Sequence, residues 1–280
     1  MVNGGWPVGM FPILPIQQGV CSVCHQYNRQ GWGECRTCTD NLTKLNLKPI
    51  PRSGLLQSLE TRGTHLIAVL PLFLRVRGQK EETDAYSYMW KYKDGTQLER
   101  ERAGAFIQDL CDVAAAHEAC LAARLQMVNH KFDYVLTVPS KQGRSAIHPL
   151  GEAVSQSVMG GRLRNGLKYV GPARATKDKR NFPVSQWEVD QQLVKGKNII
   201  VLDDLWTKGW TALSAATALI GSGAKRVGVI PLGRHLVDTE GDFTSLGFRE
   251  LTKDLEWSSS FCALCDDRMS AIANPPLPRQ

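Results

Sequence analysis

The stretch "NIIVLDDLWTKGWTAL", residues 198–213, decides the reading of the fold. Four apolar residues, Ile199 to Leu202, run straight into the adjacent carboxylates Asp203 and Asp204. A short Thr/Gly segment follows, and then a helix-like segment. An apolar, β-branched run of this length predicts a buried strand, "NIIVL". In an open parallel sheet, ligands bind beyond the carboxyl ends of the strands, where these two acids stand. Two neighbouring carboxylates cannot both be buried without partners, because desolvating each charge costs several kcal/mol. They can accept hydrogen bonds from a vicinal diol such as the 2- and 3-hydroxyls of a ribose. Thr207, Lys208, Gly209, Trp210 and Thr211 then offer hydroxyls, a flexible glycine and backbone amides before a helix. Such a turn favours phosphate. A diol and a phosphate held side by side describe a ribose 5-phosphate.

Working outward, "FDYVLTVP" (132–139) and "RVGVIPL" (226–232) read as further strands. "TALSAATALIG" (211–221) reads as a helix ending at Gly221 and Gly223, and "HPLGEAVSQSVM" (148–159) as a short one. The longest periodic segment, 96–127, predicts a helix opened by a capping box of Thr96 and Glu99. Strands alternating with helices predict an α/β fold: a mainly parallel sheet with helices on both faces. "LNLKPIPRSG" (45–54) reads as a linker, and "NPPLPRQ" (274–280) as an extended tail.

The chain has 280 residues, a formal net charge of +7 and eight cysteines. The charge suits an anionic partner without choosing among nucleotides, phosphorylated sugars and nucleic acid. "GMFPILPI" (9–16) lacks the basic lead of a secretory signal, and "HLIAVLPLFLRV" (65–76) is too short to span a bilayer. The chain reads as cytoplasmic, with no membrane partner.

Six cysteines form three CxxC pairs. Cys21, Cys24, Cys35 and Cys38, with ten residues between the pairs, offer four thiolates suited to a closed, structural zinc site. The segment around them has too few apolar residues for a core of its own. Cys262 and Cys265 are half of a second site, a pair shared between subunits, or plain thiols. Cys111 and Cys120, on one helix and about 180° apart around its axis, face opposite ways and read as core packing.

The acid pair followed by Thr-x-Gly-x-Thr resembles the phosphoribosyl-pyrophosphate (PRPP) motif of type I phosphoribosyltransferases. The sequence departs from that motif at Lys208, where Thr is commoner, and at Trp210, where a small residue is usual. The order of paired CxxC, "KYKDG" (91–95), "VPSKQGR" (138–144) and acid pair is similar to the ComF-type (competence-protein) branch over residues 20–235. The resemblance implies that Asp203 and Asp204 orient the ribose and that residues 207–211 hold its phosphate. It also implies that Ser140, Lys141, Gly143 and Arg144 meet the pyrophosphate, Lys141 and Arg144 with charge. Magnesium would arrive with PRPP, beside structural zinc.

On this reading residues 1–50 are a flexible N-terminus and a four-cysteine zinc module. Residues 51–240 form the transferase-like domain with a hood at 55–95, and residues 241–280 are an extension. The partners are PRPP and an unidentified nitrogenous acceptor, and a homo-oligomer is compatible with the sequence. The alternative is a non-catalytic ComF-like protein that binds nucleotide, protein or single-stranded DNA in uptake or regulation. The basic run Arg162, Arg164, Lys168, Arg174, Lys177, Lys179 and Arg180 would then serve as a contact, or would close over substrate in the enzyme. Trp206 and Trp210 read as base-stacking or helix-covering residues. A P-loop nucleotidase finds little support: no GxxxxGK[ST] occurs, and "GSGAKR" (221–226) falls at a helix end and does not open one.

Overall fold

The computed structural model describes residues 10, 13, 21, 23, 34–52, 55–61, 65–76, 83–139, 149–171, 184–236, 257–259, 262 and 264. Along the chain these form α1 (Arg36–Lys44), β1 (Lys48–Arg52), β2 (Leu55–Thr61), β3 (His65–Val69), β4 (Phe73–Val76), α2 (Thr83–Asp94), α3 (Gln97–Ala116) and α4 (Glu118–Arg124). Then follow β5 (Tyr134–Thr137), α5 (Pro149–Ser155), β6 (Leu167–Tyr169), β7 (Trp187–Val189), α6 (Gln191–Val194), β8 (Asn198–Trp206), α7 (Trp210–Gly221) and β9 (Arg226–Leu236). The main sheet runs β1-β2-β3-β9-β8-β5, and β4 lies beside β9 beyond β3. Strands β3, β4, β9, β8 and β5 are parallel, whereas β1 and β2 extend the edge antiparallel. The fold is α/β, as the strand–helix alternation predicts.

Strand β8 sits between β9 and β5, and its residues alternate between two apolar layers. Ile200 and Leu202 join a core with Met89, Phe106, Ile107, Leu110 and Leu121, from α2, α3 and α4. Ile199 and Val201 join the opposite core with Leu213, Ala216 and Leu219 of α7 and Leu42 of α1. Residues pointing to alternate faces with helices packed on each make a three-layer domain.

Two elements differ from the sequence reading. Residues 48–52 are a strand and not a linker, paired with β2 at the sheet's edge. Pro49 and Pro51 lack ladder donors, which an edge strand tolerates and a central strand does not. The helix from 96 carries its capping box but stops at Ala116, with His117 closing α3 and preceding α4. Glu118, at the start of α4, accepts from both terminal nitrogens of Arg162 at 2.6 and 2.7 Å and from the Phe132 amide at 3.1 Å. Those contacts tie α4 to distant segments and not to the axis of α3. "HLIAVLPLFLRV" becomes β3 and β4, with Pro71 between them. No described helix is long and apolar enough to cross a membrane.

The cysteine segment shares its core with the sheet. Cys21, Val23, Cys35, Cys38, Leu42, Leu45 and Leu47 pack in the same cluster as α7 and Trp187. The central position of β8 predicts that Leu202→Ala, which empties a fully buried site, lowers the unfolding free energy by about 2–5 kcal/mol. Urea denaturation followed by circular dichroism measures it, and a loss below about 1 kcal/mol would contradict this packing.

Candidate functional site

Strand β8 runs four residues past the apolar stretch, so Asp203 and Asp204 lie inside the strand and not after it. Their neighbours Leu202, Asp203, Leu205 and Trp206 keep register with Ile230, Pro231, Gly233 and Arg234 of β9. Adjacent strand residues present to opposite faces, which separates the two carboxylates. Asp203 is buried. Asp204 is met from α2: Tyr92 Oη donates to its Oδ2 at 2.6 Å, and the Lys93 ammonium pairs with the same oxygen. The Leu205 amide donates to Oδ1 at 2.8 Å.

Burial works to raise the Asp204 carboxyl. The Lys93 charge and the hydrogen bonds from Lys93, Tyr92 and the Leu205 amide together outweigh it, and the group is held below its ordinary value of 3.8. Burial, followed by the Asp204 charge, pushes Tyr92 well above its ordinary 10.0, so its hydroxyl stays a donor. Tyr92 and Lys93 come from the "KYKDG" stretch, whose pairing with an acid 112 residues away no local pattern announces.

The turn after the strand is held through its carbonyls. Buried Arg234 donates from one terminal nitrogen to Trp206 O at 3.0 Å and Thr207 O at 2.6 Å, and also to His235 O. Asn41 Nδ2 of α1 donates to Lys208 O at 2.5 Å. Among the described residues nothing accepts from the amides of Lys208 and Gly209. The buried indole N–H of Trp206 likewise has no acceptor among them. Gly209 precedes α7 with φ +77°, and a Cβ there would stand 2.1 Å from the Trp206 ring, so only glycine fits. The turn therefore consists of occupied acceptors, donors without described acceptors and a helix N-terminus, with the Arg234 charge behind it. Such an arrangement favours an anion.

Trp206 and Trp210 are both buried, which rules out base stacking by either side chain as they stand. The Trp210 ring is covered by α1, with Lys44 Nζ 4.9 Å from its centre. Ser140, Lys141, Gly143 and Arg144 lie outside the described residues. Strand β5, which leads to them, is parallel to β8 and ends beside Leu202, so that loop starts at the same end of the sheet as the acids. Of the basic run, Arg162 pairs with Glu118, Arg164 lies over Tyr134 at 5.2 Å and Lys168 meets Glu188 at 3.2 Å. Residues 174–180 lie outside the described residues.

Buried Cys21, Cys35 and Cys38 bring their Sγ atoms within 4.8 Å of one another. The Cys35 amide points at Cys21 Sγ at 3.3 Å, a donor to the sulfur of the kind that steadies a thiolate ligand. This triad is consistent with zinc. Cys24 lies outside the described residues.

No family model matches the chain, and no curated protein does. Among solved structures, one of the allosteric regulatory enzyme of purine biosynthesis is similar at 19% identity and a TM-score of 0.26, covering 45% of this chain. The match spans only 26% of that chain.

The folded Asp204 carboxyl titrates below its unfolded value, so the unfolded state takes up the proton first as the pH falls. The pair's contribution is complete above the ordinary 3.8 and disappears as the pH drops through the lowered value. Lys93→Met is therefore expected to cost about 2 kcal/mol at pH 7, and progressively less in acid, as read from urea midpoints between neutrality and about pH 2. A pH-independent difference would contradict the pairing.

Proposed function

We propose that the protein is a phosphoribosyltransferase of the type I class, ComF-like in the order of its sequence motifs. The observation that carries this reading is the arrangement at the end of β8. Two carboxylates precede a turn whose carbonyls are held by Arg234 and Asn41, while the amides of Lys208 and Gly209 have no described acceptor. Carboxylates suit sugar hydroxyls, and the turn suits the 5-phosphate of the same sugar.

In the proposed reaction the bond from ribose C1 to the pyrophosphate oxygen breaks and a bond from C1 to an acceptor nitrogen forms, through an oxocarbenium-like state. The pyrophosphate leaves with the bonding pair. Asp203 orients the ribose while Asp204, held by Lys93 and Tyr92, fixes the strand end beside it, and Thr207, Lys208, Gly209, Trp210 and Thr211 hold the phosphate, Trp210 through its backbone because its ring is buried. Lys141 and Arg144, with Ser140 and Gly143, meet the departing pyrophosphate. Magnesium accompanies PRPP, held chiefly by substrate oxygens and water, and offsets the leaving group's charge. Catalysis is then positioning and electrostatics, with no covalent nucleophile from the protein.

Lys93 and Tyr92 hold Asp204 in the structure and Asp203 is buried as well, so either variant is read only where the fold is unchanged. In calorimetry the native chain with magnesium is expected to bind PRPP. Asp203→Asn, with an unchanged circular dichroism spectrum, is expected to bind it at least about tenfold more weakly, the order of one lost charged hydrogen bond. No heat with the native chain would overturn the proposal. Oligonucleotide binding with a steep salt dependence would favour the non-catalytic alternative.

A further inference from the structure

A second cluster of metal-ligating side chains lies on the opposite face of the sheet from the first cysteine triad. His117, Cys120 and Cys262 bring one ligand atom each to within 4.8 Å of the others. Two facts of the fold create the cluster. The break between α3 and α4 falls at His117, which places Cys120 in the first turn of a new helix and not on the axis that carries Cys111. Cys111 is buried in the core, where burial pushes its thiol up to about 12, whereas Cys120 is half-buried. The C-terminal segment meets that corner. Trp257 is buried in the same core and donates from Nε1 to Leu72 O at 2.9 Å. Cys262 lies five residues further on and is only 2% exposed.

We propose that His117, Cys120 and Cys262 bind a second, structural zinc ion that fastens the C-terminal segment to the α3–α4 corner. The donor set, one imidazole and two thiols, is that of a zinc site and not of a hard cation. A tetrahedral ion with Zn–S bonds of about 2.3 Å needs its sulfurs about 3.8 Å apart, a spacing compatible with ligand atoms that all lie within 4.8 Å of one another. The imidazole is already oriented: its Nε2 lies 3.1 Å from Ser259 O. With the Nε2 proton donated to that carbonyl, Nδ1 is left as the metal-binding nitrogen, the outer-shell arrangement usual for a ligating histidine. Arg124 lies close to Cys262. Its positive charge favours the thiolate form there.

A catalytic thiol–imidazole pair fits poorly, because Cys262 is too deeply buried for a substrate to reach. A disulfide between Cys120 and Cys262 would need no imidazole. Three described ligands leave a fourth position for water or another thiolate. In the sequence Cys265 completes a CxxC pair with Cys262, and it lies outside the described residues.

The test is metal content of the full-length chain, purified under reduction. Two equivalents of zinc per chain are expected, one of them at the first triad. Cys120→Ser and Cys262→Ser should each lose one equivalent, while Cys35→Ser should lose the other and keep this one. Should the serine variants fail to fold, the native chain still decides. A chelator is expected to speed alkylation of Cys120 and Cys262, mapped by peptide mass, on the order of tenfold or more as the thiolates lose their metal. A single equivalent untouched by Cys262→Ser would overturn the proposal. So would alkylation at these two positions that ignores the chelator, or a Cys120–Cys262 disulfide in the intact mass. None of these readouts depends on binding of PRPP.

Discussion

The turn after β8 keeps its shape because its carbonyl oxygens are bonded from behind by side chains of two other elements. Arg234 reaches Trp206 and Thr207 from β9, and Asn41 reaches Lys208 from α1. A turn of consecutive peptides cannot point every amide one way unless the carbonyls opposite them find donors within the protein. Arg234 and Asn41 supply those donors, which fixes the turn before any ligand arrives. That matters energetically, since ordering the loop on binding would subtract from affinity. The buried guanidinium adds positive charge beneath amides and a helix terminus that already attract anions.

The acid pair obeys a different constraint. Within a strand, neighbouring side chains face opposite ways, so the two carboxylates cannot act as one chelating pair. Asp204 shares its face with α2 and takes Lys93 and Tyr92 as partners. Asp203 is buried and, by alternation with Ile199 and Val201, faces away from Asp204. A carboxylate paired and enclosed in this way tolerates a neutral substitute badly, because the lysine opposite it would lose its counter-charge. The same pairing holds α2 against the carboxyl end of the sheet. Asp204 is thus a joint between α2 and the strand end, whatever else it touches.

The architecture was legible in the sequence because it depends on local periodicity. The apolar runs of the strands at 134–137, 199–202 and 226–232, the capping box at Thr96 and the helix after Gly209 each leave a signature within a short stretch of chain, although β8 and β9 run on past those runs. What escaped depends on contacts between distant segments. No glycine or proline marks the break at His117, which follows an alanine run that is good helix sequence; the contacts of Glu118 with Arg162 and Phe132 place α4. Residues 48–52 look like a proline linker, since a strand at a sheet's edge needs no continuous ladder. The roles of Tyr92, Lys93, Asn41 and Arg234 at the site are invisible locally, because each serves a backbone or side-chain atom 27 to 167 residues away. Arg234 alone had a faint signal: a charge placed two residues after the apolar run of a central strand.

Helix α1 turns the first cysteine cluster from a remote staple into a support for the turn. Cys35 caps the helix, Cys38 lies on its first turn, Asn41 bonds Lys208 and Lys44 covers Trp210. Ligands that fix Cys35 and Cys38 therefore fix the angle at which Asn41 and Lys44 approach, about one turn and two turns further along the same rigid element. The segment cannot hold that angle by hydrophobic burial alone. Its described apolar residues Val23, Leu42, Leu45 and Leu47 are shared with the core of α7. A metal at the thiol triad would supply locally the free energy that the short helix lacks, and would pass it through two side chains to the turn after β8. Geometry at the turn is in this sense set from three directions: by the strand that precedes it, by the guanidinium behind it, and by a helix that carries two of the clustered cysteines.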